Sequence, residues 1–220
     1  MFAFEIDKKP HKYSLTNKSF LKLWAPKVKT IFRSLYRKNY FEDQFFKCSV
    51  LWGDAREKIN FIPSTIKFDL IYLDGFSPQK CPQLWTIEFL SKVTEKLNSQ
   101  GYLITYSSSA AVRKTLRNLG LEIFTIKPRF NNRTFWSQGT VAISKFDKNK
   151  LKSNSNFEKL SLMEEEHLLT KASIPYRDQD LNSSKDDIIK ERLKEQLSSN
   201  LLSSKKWRKK WGMTKSSFKS

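Results

Sequence analysis

The sequence predicts an α/β domain with a largely parallel sheet over residues 1–146, followed by a linker and a basic, partly helical extension over 147–220. Three observations predict it. Short apolar runs of strand length recur along the first part, stretches of helical apolar spacing separate them, and after about Phe146 the composition turns to Lys, Asn and Ser.

In order, Phe2–Ile6 is an apolar strand containing an acid, and Pro10–Trp24 carries Tyr13, Leu15, Phe20, Leu21 and Leu23 in a loosely helical pattern. Lys47–Trp52 is a second strand, closed by Gly53-Asp54, and Ala55–Phe61 is a short helix. Phe68–Leu73 is an apolar strand running into Asp74-Gly75. Pro82–Leu97 follows with Leu84, Trp85, Phe89, Leu90, Val93 and Leu97 at helical spacing, and Pro82 suits a first turn. Gly101–Tyr106 is a strand, Ala110–Leu119 a helix with Gly120 at its exit, and Leu121–Ile126 and Gly139–Ser144 are further strands. In the extension, Asp186–Leu197 is helical, and Lys205-Lys206-Trp207-Arg208-Lys209-Lys210-Trp211 interleaves cations with two tryptophans.

Lys and Arg number 41 against 22 acidic residues, a formal charge of +19. Residues 151–220 contribute +5 of this and the first 150 residues +14, so the folded part is the more basic one. Such a balance points to a polyanionic partner. Two cysteines, Cys48 and Cys81, make no disulfide framework and fit a reducing, cytoplasmic setting. No apolar run approaches the roughly 20 residues of a membrane span, so no membrane partner is expected, and the start carries no export signal.

In parallel sheets, ligands bind beyond the carboxyl ends of the strands, where Glu5, Asp54 and Asp74 fall. Glu5 has paired acceptor oxygens to match a vicinal diol, or is a solvated acid at a strand end. Asp54 can accept from an amino group, or cap the helix that follows. Asp74 closes a strand and points into a cleft, where a carboxylate can orient an amine and take its proton. Phe76 and Pro78 add an apolar wall, with Trp85 behind them. His11 and His167 are too isolated for a metal site or a nucleophilic triad, so no metal is expected; Cys48 reads as a core residue, and Cys81 lacks a nearby base. Lys205–Trp211 is a candidate nucleic-acid grip, its cations on phosphates and Trp207 or Trp211 under a base, or else a plain basic terminus.

The run from Phe68 to Trp85, with its Asp74-Gly75-Phe76-Ser77-Pro78 turn and Pro82-Gln83-Leu84-Trp85 helix start, closely resembles the methyltransferase domain of the MnmC family. The likeness continues through Gly101–Ser107, Ala111–Leu116 and Gly120-Leu121, and covers roughly residues 1–145. The resemblance implies a class I, Rossmann-like fold and S-adenosyl-L-methionine (SAM) as cofactor. It implies tRNA as partner and methyl transfer to the aminomethyl nitrogen of a modified wobble uridine. Glu5 then matches the ribose-binding acid, Asp54 and Ala55 the adenine side, and Asp74 the residue at the amine and beside the cofactor; Phe76, Pro78 and Lys80 face the substrate.

Two departures from the family pattern give further expectations. The chain begins at what corresponds to the family's second strand, without the first strand and its Gly-rich loop, which implies an N-terminally incomplete sheet, a gap beside that strand and a start placed downstream. No Gly-x-Gly-x-x-Gly of the flavin-dependent half occurs, so a separate flavin-dependent or upstream wobble-uridine enzyme is the expected functional partner. His167–Asp178 is similar to an extension of stand-alone members. Two alternatives are a SAM-dependent methyltransferase of another amine and a non-catalytic, methyltransferase-like RNA-binding protein.

Overall fold

The computed structural model describes residues 1–127, 138–144 and 156–213. The chain divides into two compact units, Met1–Pro63 and Ser64–Ser220. The extension belongs to the second unit.

The first unit comprises β1 (Phe2–Glu5), α1 (Lys8–Thr16), α2 (Lys18–Lys22), α3 (Pro26–Lys38), β2 (Tyr40–Glu42), β3 (Lys47–Trp52), α4 (Ala55–Lys58) and a 3-10 turn at Ile59–Phe61. The helix expected over Pro10–Trp24 is two helices, because Asn17 both ends α1 and caps α2, its side chain accepting from the Phe20 amide. Neither α3 nor β2 was expected. Pro26 starts α3, and Asn39 ends it in the left-handed region at φ 58°. The sheet order is β1-β3-β2, with β1 parallel and β2 antiparallel to β3. Leu35, Cys48 and Val50 form its core, with Ala3, Ile31, Phe41, Phe46 and Trp52 against them.

The second unit carries β4 (Phe68–Tyr72), a 3-10 turn at Pro82–Trp85, α5 (Ile87–Glu95), β5 (Leu97–Thr105), α6 (Ala110–Asn118), β6 (Glu122–Ile126) and β7 (Thr140–Ile143). The helix expected over Pro82–Leu97 breaks at Thr86, whose hydroxyl caps α5. The strand order is β4-β5-β7-β6-β8, with β8 at Phe157–Lys159. Among the described residues of this sheet β4 and β5 pair in parallel, and β5–β7, β6–β7 and β6–β8 are antiparallel. One largely parallel sheet is thus corrected to two mixed sheets, and β1 and β4 each form an edge of their own sheet. On one face of the larger sheet Phe124, Val141, Ile143 and Phe157 pack together. Leu103 and Ala142, fully buried, point to the other face by the alternation of the pleat.

The extension is a folded layer. After β8 come α7 (Leu162–His167), a 3-10 turn at Lys171–Ser173, α8 (Lys185–Ser198) and α9 (Ser204–Lys210). Its anchor is an ion pair in the interior. Arg113 of α6, 2% exposed, donates through Nη1 to Glu164 at 2.8 Å, and also to Thr140, Thr125 and the Gly139 carbonyl. The other Glu164 oxygen accepts from the Ser161 amide, which completes a capping box at the start of α7. A second strap follows, in which the Ile87 amide donates to the Tyr176 carbonyl and Glu88 accepts from Arg177 and the Asp178 amide. Among the described residues no helix is long and apolar enough to cross a membrane.

Candidate active site

β4 leads directly into the turn that carries Asp74. The buried Leu73 still donates its amide to the Ile104 carbonyl, so strand pairing holds up to the residue before the acid. Two aromatic side chains then fix the turn from below. Tyr106 Oη donates to the Gly75 carbonyl at 2.8 Å, and Trp85 Nε1 donates to the Phe76 carbonyl at 2.8 Å. The Trp85 ring is fully buried and meets Tyr106 edge-on, with centroids 6.3 Å apart. The Ser77 carbonyl accepts from the Lys80 and Cys81 amides, which closes the turn. A Cβ at Gly75 would lie 2.7 Å from Leu84 Cδ1, so any larger residue there makes the end of the Leu84 side chain shift.

The Asp74 carboxylate stands exposed and makes no hydrogen bond or ion pair among the described residues. It is positioned by backbone alone, which leaves its oxygens free for a ligand. Burial first, then the charges of Asp74 and Cys81, push the Tyr106 phenol above its usual range. Tyr106 therefore stays protonated and remains a donor to Gly75. Phe76 is 74% exposed and projects as an apolar surface, whereas Pro78 is buried in the turn and Lys80 is exposed. Leu70 and Tyr72, on one face of β4 by the pleat, are exposed as well.

In the first unit, Glu5 and Asp54 lie at the carboxyl ends of adjacent parallel strands. Glu5 pairs in register with Trp52, and the Gly53 amide donates to the Glu5 carbonyl at 2.8 Å. Gly53 takes φ +122°, a conformation that favours glycine. The Glu5 side chain is exposed and without a hydrogen-bond partner among the described residues. Asp54 is differently placed: it caps α4 by accepting from the Arg56 amide and grips the Arg56 guanidinium through both oxygens, the shorter contact 2.7 Å. The helix-cap alternative is thus realised at Asp54, and Ala55 is the first residue of the helix it caps.

The Lys205–Trp211 segment behaves differently from the expected base-stacking grip. Trp207 is 1% exposed, donates to the Met163 carbonyl and stacks on His167 with centroids 4.1 Å apart. Trp211 and Lys210 both bond Glu166. Trp207 therefore packs against α7, its ring face covered by His167. Lys205, Lys206, Arg208 and Lys209 remain exposed. His167 is pushed down to about 4, by burial first and then by the charges of Arg113 and Arg208, and is neutral at physiological pH. His11 is held by the Phe32 carbonyl and the rings of Phe32, Tyr36 and Trp52.

An open cleft of about 780 Å³ begins three residues beyond Asp74. Ser77, Pro78 and Gln79 form one wall, Ser108–Ala110 at the start of α6 another, and side chains of α8 and α9 the third. Sequence reasoning did not single out Arg192, which lines this cleft, or Tyr106 and Arg113. Tyr106 and Arg113 lay within family-like stretches; Arg113 and Arg192 sit on helices whose sequence says nothing of what they face.

Residues 17–141 match the family of S-adenosyl-L-methionine-dependent methyltransferases. The chain belongs to that family. Its cofactor is S-adenosylmethionine, and it is related to the MnmC enzymes of tRNA modification. An uncharacterised protein of Methanocaldococcus jannaschii is 29% identical over 155 residues, which is 69% of this chain and 39% of that protein. The bifunctional tRNA 5-methylaminomethyl-2-thiouridine biosynthesis protein MnmC of Campylobacter hominis is 31% identical over 116 residues, 53% of this chain and 16% of that protein. The crystal structure of MnmC2 from Aquifex aeolicus aligns with a TM-score of 0.64 at 27% identity, covering 89% of this chain and 57% of that one. The methyltransferase chain thus spans less than two-thirds of the length of each. It has the α/β fold of these methyltransferases, as the resemblance implied.

Proposed function

We propose that this methyltransferase acts on tRNA, moving a methyl group to the aminomethyl nitrogen of a modified wobble uridine. The observation that carries the proposal is Asp74: an exposed, unpartnered carboxylate on a turn held by Tyr106 and Trp85, in a chain related to enzymes named for that modification. Bound S-adenosylmethionine supplies an electrophilic methyl on a sulfonium, which leaves as a neutral thioether. The chain's own residues have to present a neutral amine to it.

A primary alkyl amine resembles a lysine side chain, with a pKa of about 10.4, and is mostly protonated at neutral pH. Asp74 meets this need in two ways: its oxygens orient the N–H bonds, and one oxygen receives the proton that must leave before or as the new N–C bond forms. Its exposure lets that proton pass to solvent. Phe76 gives the uracil ring an apolar face, with Pro78 as the rigid base of the turn and Lys80 at the rim toward phosphate. On the cofactor side, Glu5 has the free oxygens to accept from ribose hydroxyls. Asp54 shares its carboxylate between Arg56 and the adenine side, since a carboxylate offers about four lone-pair sites; Ala55 adds an amide there. An upstream enzyme supplies the amine.

The test is mass spectrometry of tRNA nucleosides from a strain lacking the gene. Aminomethyluridine is expected to accumulate and to be cleared by the wild-type chain but not by Asp74→Asn. An unchanged nucleoside profile would sink the proposal.

A further inference from the structure

The cleft beside the Asp74 turn has a charge pattern that the reaction does not require. Among the described residues no Asp or Glu lines it, whereas Arg192 and Arg208 do, with Tyr176, Gln196 and Ser204 among the rest. Arg192 donates to two neutral groups, the Ile174 carbonyl at 2.7 Å and the Ala172 carbonyl at 2.9 Å, and its guanidinium lies 4.3 Å from the Tyr176 ring centroid. It enters no ion pair among the described residues. Burial works against its charge, and Tyr176 and Glu195 only partly offset this. A guanidinium fixed by carbonyls on one edge keeps further N–H donors for an anion on the other. The start of α6 adds to the same field: Ser109 caps it without a side-chain hydrogen bond, and Ser109 and Ala110 face the cleft.

We propose that this cleft holds the phosphodiester groups of an RNA substrate beside the nucleotide presented to Asp74, with Arg192 and Arg208 as the phosphate-binding residues. This rests on the tRNA reading of the site and assigns to the extension the task of substrate binding. Its volume lies in the range of about 300–1,000 Å³ found for ligand sites, enough for a phosphate with part of its nucleotide. Ser77 and Pro78 line the cleft and belong to the Asp74 turn, so a chain running through it delivers its next nucleotide to the acid. The chain's formal charge of +19 suits a polyanion better than a small phosphate metabolite.

The test measures binding of the full chain to a tRNA anticodon stem-loop at several salt concentrations, with no cofactor present. Arg208→Gln, at an exposed position, and Arg192→Gln are each expected to weaken binding about tenfold and to lower the salt slope by about one counterion. S-adenosylmethionine affinity and the thermal midpoint of Arg208→Gln should stay at wild-type values. Asp74→Asn should retain RNA affinity while losing methyl transfer, which separates the cleft from the chemistry. If the arginine variants bind RNA less well while wild-type protein methylates no nucleoside, the cleft stands and the methyl-transfer reading falls. If Arg208→Gln melts like wild type and binds RNA with unchanged affinity and slope, the cleft assignment is wrong. Protection of the cleft by uridine monophosphate, with no effect of either variant on RNA binding, would likewise overturn it in favour of a free nucleotide.

Discussion

Glu164→Gln tests whether one ion pair holds the extension on the sheet. The substitution keeps a capping-box residue at the third helical position of α7, since glutamine serves there as glutamate does, and removes only the charge opposite Arg113. Arg113 is 2% exposed, so the variant leaves a guanidinium in the interior without the carboxylate that pairs with it, at a cost of about 3–5 kcal/mol. At roughly 2–4 °C per kcal/mol for a chain of this size, the melting midpoint should fall by about 6–20 °C. Trp207 fluorescence is the probe, because its ring is buried against α7 and reports release of the extension. The pH dependence sharpens the test. Burial raises the Glu164 carboxyl, but the Ser161 amide and the Arg113 charge outweigh it and hold the group below its ordinary range. Such a group contributes stability that is present above the unfolded carboxylate pKa of about 4.3 and is lost as pH falls through the lower folded value. Wild type should show this acid limb, and Glu164→Gln should lose it. A variant that melts within a degree of wild type, with the limb intact, would show that the extension is held by other contacts.

Further outcomes are expected at the site itself. Tyr106→Phe removes the hydroxyl that fixes the Gly75 carbonyl and should lower kcat several-fold with the KM for S-adenosylmethionine unchanged; an equal change in both would place Tyr106 in cofactor binding instead. Gly75→Ala puts a Cβ against the end of the Leu84 side chain, which can swing aside, and should cost no more than about 1 kcal/mol in urea unfolding; a larger loss would move the strain to the backbone. Glu5→Gln leaves an oxygen and an amide where two carboxylate oxygens stood and should weaken S-adenosylmethionine binding by calorimetry about tenfold while sparing RNA binding; unchanged heats would remove Glu5 from the cofactor site.

The Asp74 turn was legible because much of what makes it is local: an apolar strand, a glycine where Leu84 packs close, and a tryptophan eleven residues after the acid that bonds back to the Phe76 carbonyl; the Tyr106 hydroxyl, which reaches the Gly75 carbonyl from 31 residues away, was not. The helix Pro26–Lys38 was legible in principle. Val28, Ile31, Phe32, Leu35 and Tyr36 recur at helical spacing between a first-turn proline and a closing asparagine, but the interleaved lysines and arginines dilute the run. Strand direction was not legible. Gly139–Ser144 reads as a strand whichever way it runs, and only its pairing with Tyr102–Thr105 makes it antiparallel.

The extension shows most clearly why composition misleads. Its Lys, Asn and Ser content reads as a linker and a solvated end, yet it folds through contacts that no local pattern encodes. Arg113 reaches Glu164 across 51 residues, and Trp207 reaches Met163 across 44. The same long-range packing decides which of its charged and aromatic residues can meet a ligand. Trp207 is lost to the interior, while Arg192, on a helix of unremarkable charge, faces the cleft. The basic cluster noticed in the sequence and the basic cleft formed by the fold therefore share only Arg208 and Trp207, and of these two only Arg208 is exposed. A tRNA-binding role for the extension thus rests on where α8 and α9 place two guanidinium groups beside the Asp74 turn, and not on how many cations the segment contains.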